Sequence, residues 1–522
     1  MAIVKYTINS IFGGQASTRH GAGKGHFMGS QGIDPELQIN GKASGYIMPL
    51  THDKFSGATV TGVPMWIEVG VKGGNNKVYI YNSDGELISY NNALASETLE
   101  SAGITNGNGS GMAQINDHLL LATTTNIAIF GQLSAAAPAV TNSWWTGVAG
   151  LSALTDTAYP SIRGVEYPNH AMHNHTDGKT YFCDFAAGVG MIHKLGITAA
   201  GANDGSAFNV LDLPLNIHPT DIESYGTDLA IIGSSFIEAG SAQLEKGTSS
   251  LFLWDTVSDS FYRQVPVPSA FVTAILNVNG NLFIWGTSAN AGWQMYRYAG
   301  GYSVEVLWDS STGTGPIAGG VDVQNGRVFF GGVDTASDYD DAVVYAYGYQ
   351  SPDLPSNALN CISNLGLDNS AESMIGALKT VDASTNLELP IIGWTSNGAF
   401  GMSKPSTSDN KTSFFDSETF VVGKAFKIRE VNIPVTKAVT SGVIIEPTIQ
   451  FDQTGDIKQL TAISDAVYNG KTKITYKAHE LDQLSITGAT GSNDFFLSIL
   501  FNGTSNIGVG LPIEIIVETL DE

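Results

Sequence analysis

The densest run of potential ligands is His170-x-x-His173-x-His175-x-Asp177, with His193 in the apolar run that follows. Neutral imidazole nitrogens bunched in one loop suit a divalent ion such as zinc. The same stretch carries Asn174, Asp177 and Gly178, the turn residues of an exposed hairpin, where histidine needs no ligand to be tolerated. Asp334, Asp338, Asp340 and Asp341 crowd a second loop. Hard carboxylate oxygens at that density hold calcium, but the spacing lacks the order of a calcium loop, and a solvated turn is the plainer account. These two runs are the metal candidates, and the expectation is that neither is a metal site.

Other chemistry is excluded by detail. Gly21-Ala-Gly-Lys24-Gly has the look of a phosphate loop, yet Thr18 stands where its first glycine belongs and Gly25 where its Ser/Thr metal ligand belongs. No strand and helix frame it. No nucleophile elbow, zinc-protease His-Glu-x-x-His or deaminase signature is present. A carboxylate pair for glycoside hydrolysis is a spatial feature that one sequence does not reveal. No catalytic residue, cofactor or enzymatic activity is therefore expected. Trp144-Trp145 lies in an Ala/Thr/Ser-rich connector and reads as an exposed aromatic contact for a sugar or a neighbouring chain, or as a buried anchor.

The elements that must position these residues recur. Leu229-Ala-Ile-Ile-Gly233 followed by Leu251-Phe-Leu-Trp254 is an apolar hairpin, and Leu282-Phe-Ile-Trp-Gly286 followed by Trp293-Gln-Met-Tyr296 repeats it. The same unit occurs as Trp66–Gly70 with Val78–Tyr81, Leu119–Thr123 with Ile127–Phe130, and Thr180–Cys183 with Val189–Ile192. Two more follow, Arg327–Gly331 with Val343–Tyr347 and Leu389–Gly393 with Gly398–Gly401. Seven units at a spacing of roughly 45 to 62 residues fall in the range of four-stranded propeller blades. A lone hairpin cannot bury both faces, and radial packing supplies neighbours while leaving only short edges. Asn82-Ser-Asp84-Gly85, Asp177-Gly178, Asn279-Gly280, Asn325-Gly326 and Asn397-Gly398 supply the tight turns. The fold class expected is all-β, a seven-bladed β-propeller over 45–404.

Beyond a polar linker at 405–419, residues 420–522 alternate in at least six strands, among them Phe426–Ile433, Val443–Phe451 and Phe495–Phe501. Period two with turns between argues a jelly-roll-like β-sandwich. Residues 1–44 differ: Gly-rich, with scattered cations, they read as an extended N-terminal arm that orders on a partner surface.

Composition bounds the partners. Of 522 residues, 43% are hydrophobic and only 14% charged, well under the roughly 25% of an ordinary soluble domain, so Gly, Ser, Thr and Asn cover the surface. A net charge of −24 repels phosphate backbones, so no nucleic-acid partner is expected. The absence of 18 uninterrupted apolar residues gives no reason to expect a membrane partner. Two cysteines, Cys183 and Cys361, exclude a disulfide framework but leave a single bridge open.

Phe12-Gly-Gly, Gly25-His-Phe, Gly32-Ile-Asp-Pro35, Gly45-Tyr-Ile-Met-Pro49, Lys54-Phe-Ser-Gly57 and Val63-Pro-Met-Trp66, in this order, resemble the opening of a loosely defined group of tailed-bacteriophage virion proteins. The resemblance covers the first third of the chain and implies propeller-like repeats with a C-terminal β-sandwich. It carries no catalytic residues. It implies a non-enzymatic virion component, in tail, neck, fibre or capsid decoration, made in the host cytoplasm and assembling with copies of itself and other virion proteins. Phe12, Arg19, Lys24, Phe27, Ile33, Trp144 and Trp145 are the subunit-contact candidates. The alternative is a carbohydrate-binding or glycan-cleaving propeller that recognises host-surface glycan, with paired carboxylates expected at the mouth of a central channel.

Overall fold

The structure is a computed structural model. It describes residues 2–11, 14, 15, 26–33, 38, 39, 42, 43, 47, 51–54, 60–72, 75–91, 94, 97–101, 104, 109–155, 161, 162, 165, 166, 170–235, 247–287, 292–310, 312–324, 326–334, 341–348, 359–364, 373–381, 390–396, 398–406, 413–451, 457–477, 494–503 and 507–519.

Short apolar runs broken by turn residues fold as antiparallel sheets of four strands. The first holds Pro64–Lys72, Asn75–Asn82, Leu87–Asn91 and Glu97–Ser101, and the second Gly109–Ile115, His118–Thr123, Ile127–Gly131 and Ala139–Thr141. The third is Met172–Asn174, Thr180–Ala186, Val189–Leu195 and Ala207–Leu215, and the fourth Ile217–Tyr225, Asp228–Ser235, Thr248–Trp254 and Arg263–Val267. Phe271–Val278, Asn281–Thr287, Trp293–Tyr298 and Glu305–Asp309 make the fifth. Val321–Gln324, Arg327–Asp334, Asp341–Tyr347 and Leu359–Asn364 come next, followed by Met374–Thr380, Pro390–Ser396, Ala399–Ser406 and the early strand Thr51–Lys54. A single parallel bridge, Asn364 to Thr51, joins these last two groups into one eight-stranded sheet.

The leading strand of each group packs on the leading strand of the next, and Met374–Thr380 packs back on Pro64–Lys72. Small twisted sheets closed in a circuit are a β-propeller, with the leading strands innermost. The circuit is fastened by Thr51–Lys54, which pairs with Ala399–Ser406 and brings the beginning of the chain onto its last inner sheet. His52 in that strand is buried, its Nε2 2.9 Å from Pro390 O.

Turn chemistry performs as expected where it is described. Asn279 and Gly280 both have positive φ, 52° and 83°, which is the type I′ geometry that matches strand twist. One repeat is out of phase with the sequence reading. Six of the units coincide with second and third strands, whereas the Trp66 unit takes the first and second strands of its sheet. Apolar content does not distinguish them, because Val78-Tyr-Ile-Tyr81 is fully buried and flanked by apolar strands on both sides.

Much of the rest of the described chain forms a second body of two sheets that share one core. One is ordered Ile3–Ile8, Ile513–Thr519, Phe426–Pro434, Lys473–Lys477. The other runs from Gly14–Gln15 through His26–Gln31, Ser413–Ser417, Asp494–Phe501 and Ile444–Gln450 to Ile457–Gln459. Between them lies one core that includes Ile8, Phe27, Ile33, Phe415, Val431, Leu497 and Ile515.

Two readings are corrected here. Ile3–Ile8 and His26–Gln31 do not wait for a partner surface: the first pairs in register with Ile513–Thr519 and the second with Ser413–Ser417. A Gly-rich segment too poor in apolar residues for its own core contributes Ile8, Ile11, Phe27 and Ile33 to a core formed mostly by the far end of the chain. The stretch 405–419, read as a linker, contains Ser413–Ser417, with Phe415 fully buried. The two cysteines are free and buried, which settles the bridge left open.

Candidate functional site

The histidine run does not gather around an ion. His170 is fully buried, with Nδ1 2.9 Å from Ser110 Oγ and Nε2 3.4 Å from Asp184 Oδ1. His173 and His175 reach instead to the strand Ile217–Tyr225 of the fourth sheet, where both meet Ser224 Oγ, at 2.9 and 3.0 Å. Asp177 turns back on its own hairpin, accepting from Lys179 N and Tyr181 Oη. Among the described residues no group of three or more His, Cys, Asp or Glu is placed to hold a metal. Of the aspartate run, Asp334 and Asp341 are cross-strand partners closing their hairpin, while Asp338 and Asp340 lie outside the described residues.

Ser110, His170, Asp184 and His193 do line up as a serine, histidine and carboxylate would for acyl transfer. His193 Nε2 is 3.1 Å from Asp184 Oδ2, and its Nδ1 accepts from Asn209 N. Burial alone would raise the Asp184 carboxyl, but hydrogen bonds and attraction from the two imidazoles hold it well below the usual range. All four residues are buried, so no substrate carbonyl can reach Ser110. This network ties the second sheet to the third.

The contact candidates are similarly inward. Phe27 and Ile33 are fully buried in the two-sheet core, and Trp144 and Trp145 are buried among Leu120, Ile127, Phe182 and Leu195. Trp144 Nε1 donates to Gly201 O at 2.9 Å, and Trp145 Nε1 to Ser152 O. These four are core anchors rather than contact residues, because a paired aromatic strip in an otherwise small-residue connector finds its apolar surface within the chain. Phe12, Arg19 and Lys24 lie outside the described residues.

What the fold does assemble is at the centre of the ring. Each inner strand carries a half-buried polar residue: Glu68, Gln114, His173, Glu223, Asn277, Asp322 and Lys379. Lys379 Nζ lies 3.9 Å from Glu68 Oε2 and 4.0 Å from Asp322 Oδ1. Glu223 Oε1 is 3.1 Å from His173 Nε2. Burial raises the Glu68 carboxyl, with the Lys379 ammonium pulling it back, and pushes Glu223 up to about 8. Burial also lowers the His173 imidazole to about 4, with His175 and Lys379 adding to it. Lys379 is held above its ordinary value chiefly by Glu68. The N-terminal ends of the inner strands are stoppered by an apolar cluster of Met65, Ala171, Phe271, Ile317, Ala318 and Met374. The centre is therefore a polar well with a greasy floor.

No family model matches the chain, and no curated protein matches it either. Among solved structures it is similar to virginiamycin B lyase from Staphylococcus aureus, at 11% identity and a TM-score of 0.40, over 69% of this chain and 99% of that one. The Cps50 beta-propeller domain of Myceliophteria thermophila is similar at 8% identity and a TM-score of 0.40, over 67% and 99%. A putative 6-phosphogluconolactonase from Bacteroides uniformis is similar at 11% identity and a TM-score of 0.38, over 57% and 92%. Likenesses this distant assign the chain no activity.

Sequence reasoning missed the well because its members are far apart in the chain. Successive ones are separated by between 45 residues, from 277 to 322, and 59, from 114 to 173. The signal was a polar residue in the first strand of each sheet, a strand that the two-stranded unit left out in every repeat but the Trp66 one.

Proposed function

We propose that the chain is a seven-bladed β-propeller joined to a C-terminal β-sandwich, and that it serves as a non-enzymatic structural component of a tailed-bacteriophage virion. The observation that carries this reading is the pairing of Ile3–Ile8 with Ile513–Thr519. An early strand and a late strand are locked into one sheet, which supports a preassembled block. The N-terminal segment also touches the ring, where Ile33 N donates to Cys361 O at 3.3 Å. Contacts with other copies and other virion proteins then run through exposed side chains such as Leu215, Val257 and Tyr302, not through a lacing arm. Many weak faces repeated around a symmetric particle add up to a stable assembly. The order of motifs in the first third supports the phage assignment.

Mass spectrometry and cryo-electron microscopy of purified particles test this. A ring-shaped density beside a smaller β body, at fixed copy number, is the expected result. Complete, infectious particles that lack the chain would overturn it.

A second reading, a propeller that binds host-surface glycan, is favoured by one observation: three carboxylates gathered at the centre of the ring, Glu68, Asp322 and Glu223. An array of surface glycans that yields no binding would remove it.

A further inference from the structure

We propose that the polar end of the ring's centre is a binding well for a neutral sugar unit, held by Lys379 between Glu68 and Asp322 and faced by Glu223 and His173. This rests on the second reading above and narrows it to a place and a ligand class.

The groups come from five separate inner strands, so the circuit of strands, not a loop, fixes their spacing. All remain open to solvent in part: side-chain exposure is 33% for Lys379, 28% for Glu68, 14% for Asp322, 15% for Glu223 and 25% for His173. The decisive feature is the gap at Lys379. At 3.9 and 4.0 Å the ammonium is attracted to both carboxylates but is beyond hydrogen-bond length of either. A hydroxyl in that gap accepts from the ammonium and donates to a carboxylate at once. Two neighbouring hydroxyls of one sugar ring can do so with both carboxylates. Charge-assisted hydrogen bonds of this kind are the strong ones, and they reward a ligand that both gives and accepts.

The charge pattern selects among sugars. Two carboxylates flanking one ammonium repel an acidic sugar, and an amino sugar must compete with the resident Lys379 for the same oxygens. A neutral polyhydroxylated ring meets neither penalty.

The test uses the full-length chain and a panel of neutral hexoses and their disaccharides, with glucuronic acid and glucosamine as charged comparators, read by saturation-transfer NMR and titration calorimetry. The expected result is binding of at least one neutral sugar and about tenfold or weaker binding of both comparators. Lys379→Met and Glu68→Gln each lose about tenfold or more, the scale of one charge-assisted hydrogen bond. Arg297→Ala, on an exposed strand, binds as the parent does. Melting curves accompany each variant, and the near-isosteric Glu68→Gln decides if Lys379→Met does not fold. A neutral sugar bound equally well by both variants overturns the well while leaving glycan binding intact. No binding to any sugar, on the panel or on a glycan array, overturns both.

Discussion

At the scale of single residues, the buried ionisable groups make opposite demands. Glu223 has a folded-state value near 8, above its ordinary 4.5, so its protonated form is the one that folding favours. Stability from that form is complete below about 4.5 and is lost as the pH rises towards 8. Glu223→Gln fixes the neutral state. The melting temperature of the variant minus that of the parent should therefore become more positive from pH 5 to pH 8, and a difference flat across that range would refute the assignment. Asp184 works the other way. Its carboxyl is held low by His170 and His193, so its contribution is present at neutral pH and is lost as the pH falls below about 4. Asp184→Ala removes the shared partner of two buried imidazoles and should cost about 3 kcal/mol at pH 7 by denaturant unfolding. A cost under about 1 kcal/mol would mean that the network holds nothing together.

At the scale of elements, the turn Ala318–Gly320 packs against the inner strands Pro64–Lys72, Phe271–Val278 and Met374–Thr380, from sheets on different sides of the ring. A Cβ on Gly319 would stand 1.8 Å from Met65 O, and backbone cannot give way as a side chain would. Gly319→Ala should destabilise by about 2 kcal/mol or more, measured by chemical unfolding. An unchanged midpoint would show that the stopper is loose. Removing residues 1–10 should likewise lower stability by about 2 to 5 kcal/mol, because Ile8 leaves a packed core and the edge of Ile513–Thr519 is laid bare. A free arm would be removed without consequence.

These elements also mark what the sequence made legible. Hairpins with strong local signals, such as Leu282–Gly286 with its Asn279-Gly280 turn, were found where the structure has them. Pairings between residues hundreds of positions apart were not, because a two-stranded match leaves no local trace. Thr51–Lys54 has no apolar pattern, and Ile3–Ile8 alternates only weakly, yet both are fixed by their far partners. The well was hidden for a related reason. Glu68, His173, Glu223, Asp322 and Lys379 each look like one ordinary polar residue on a strand, and only closure of the circuit gathers them. The histidine run shows the converse, since closeness in sequence left His170 on Ser110 and Asp184 but His173 and His175 on Ser224.

At the scale of the whole molecule, one arrangement underlies the rest: the chain begins and ends in the same two-sheet body, and the ring between is fastened by an early strand on its last sheet. The rigidity assigned to a virion block and the fixed spacing assigned to the well both follow from it. Hydrogen exchange by mass spectrometry on the intact chain tests this most directly. Peptides over Ile3–Ile8 and Thr51–Lys54 should be as protected as those over Ile513–Thr519 and Ala399–Ser406. Exchange of the two early strands within seconds, with their partners still protected, would contradict it.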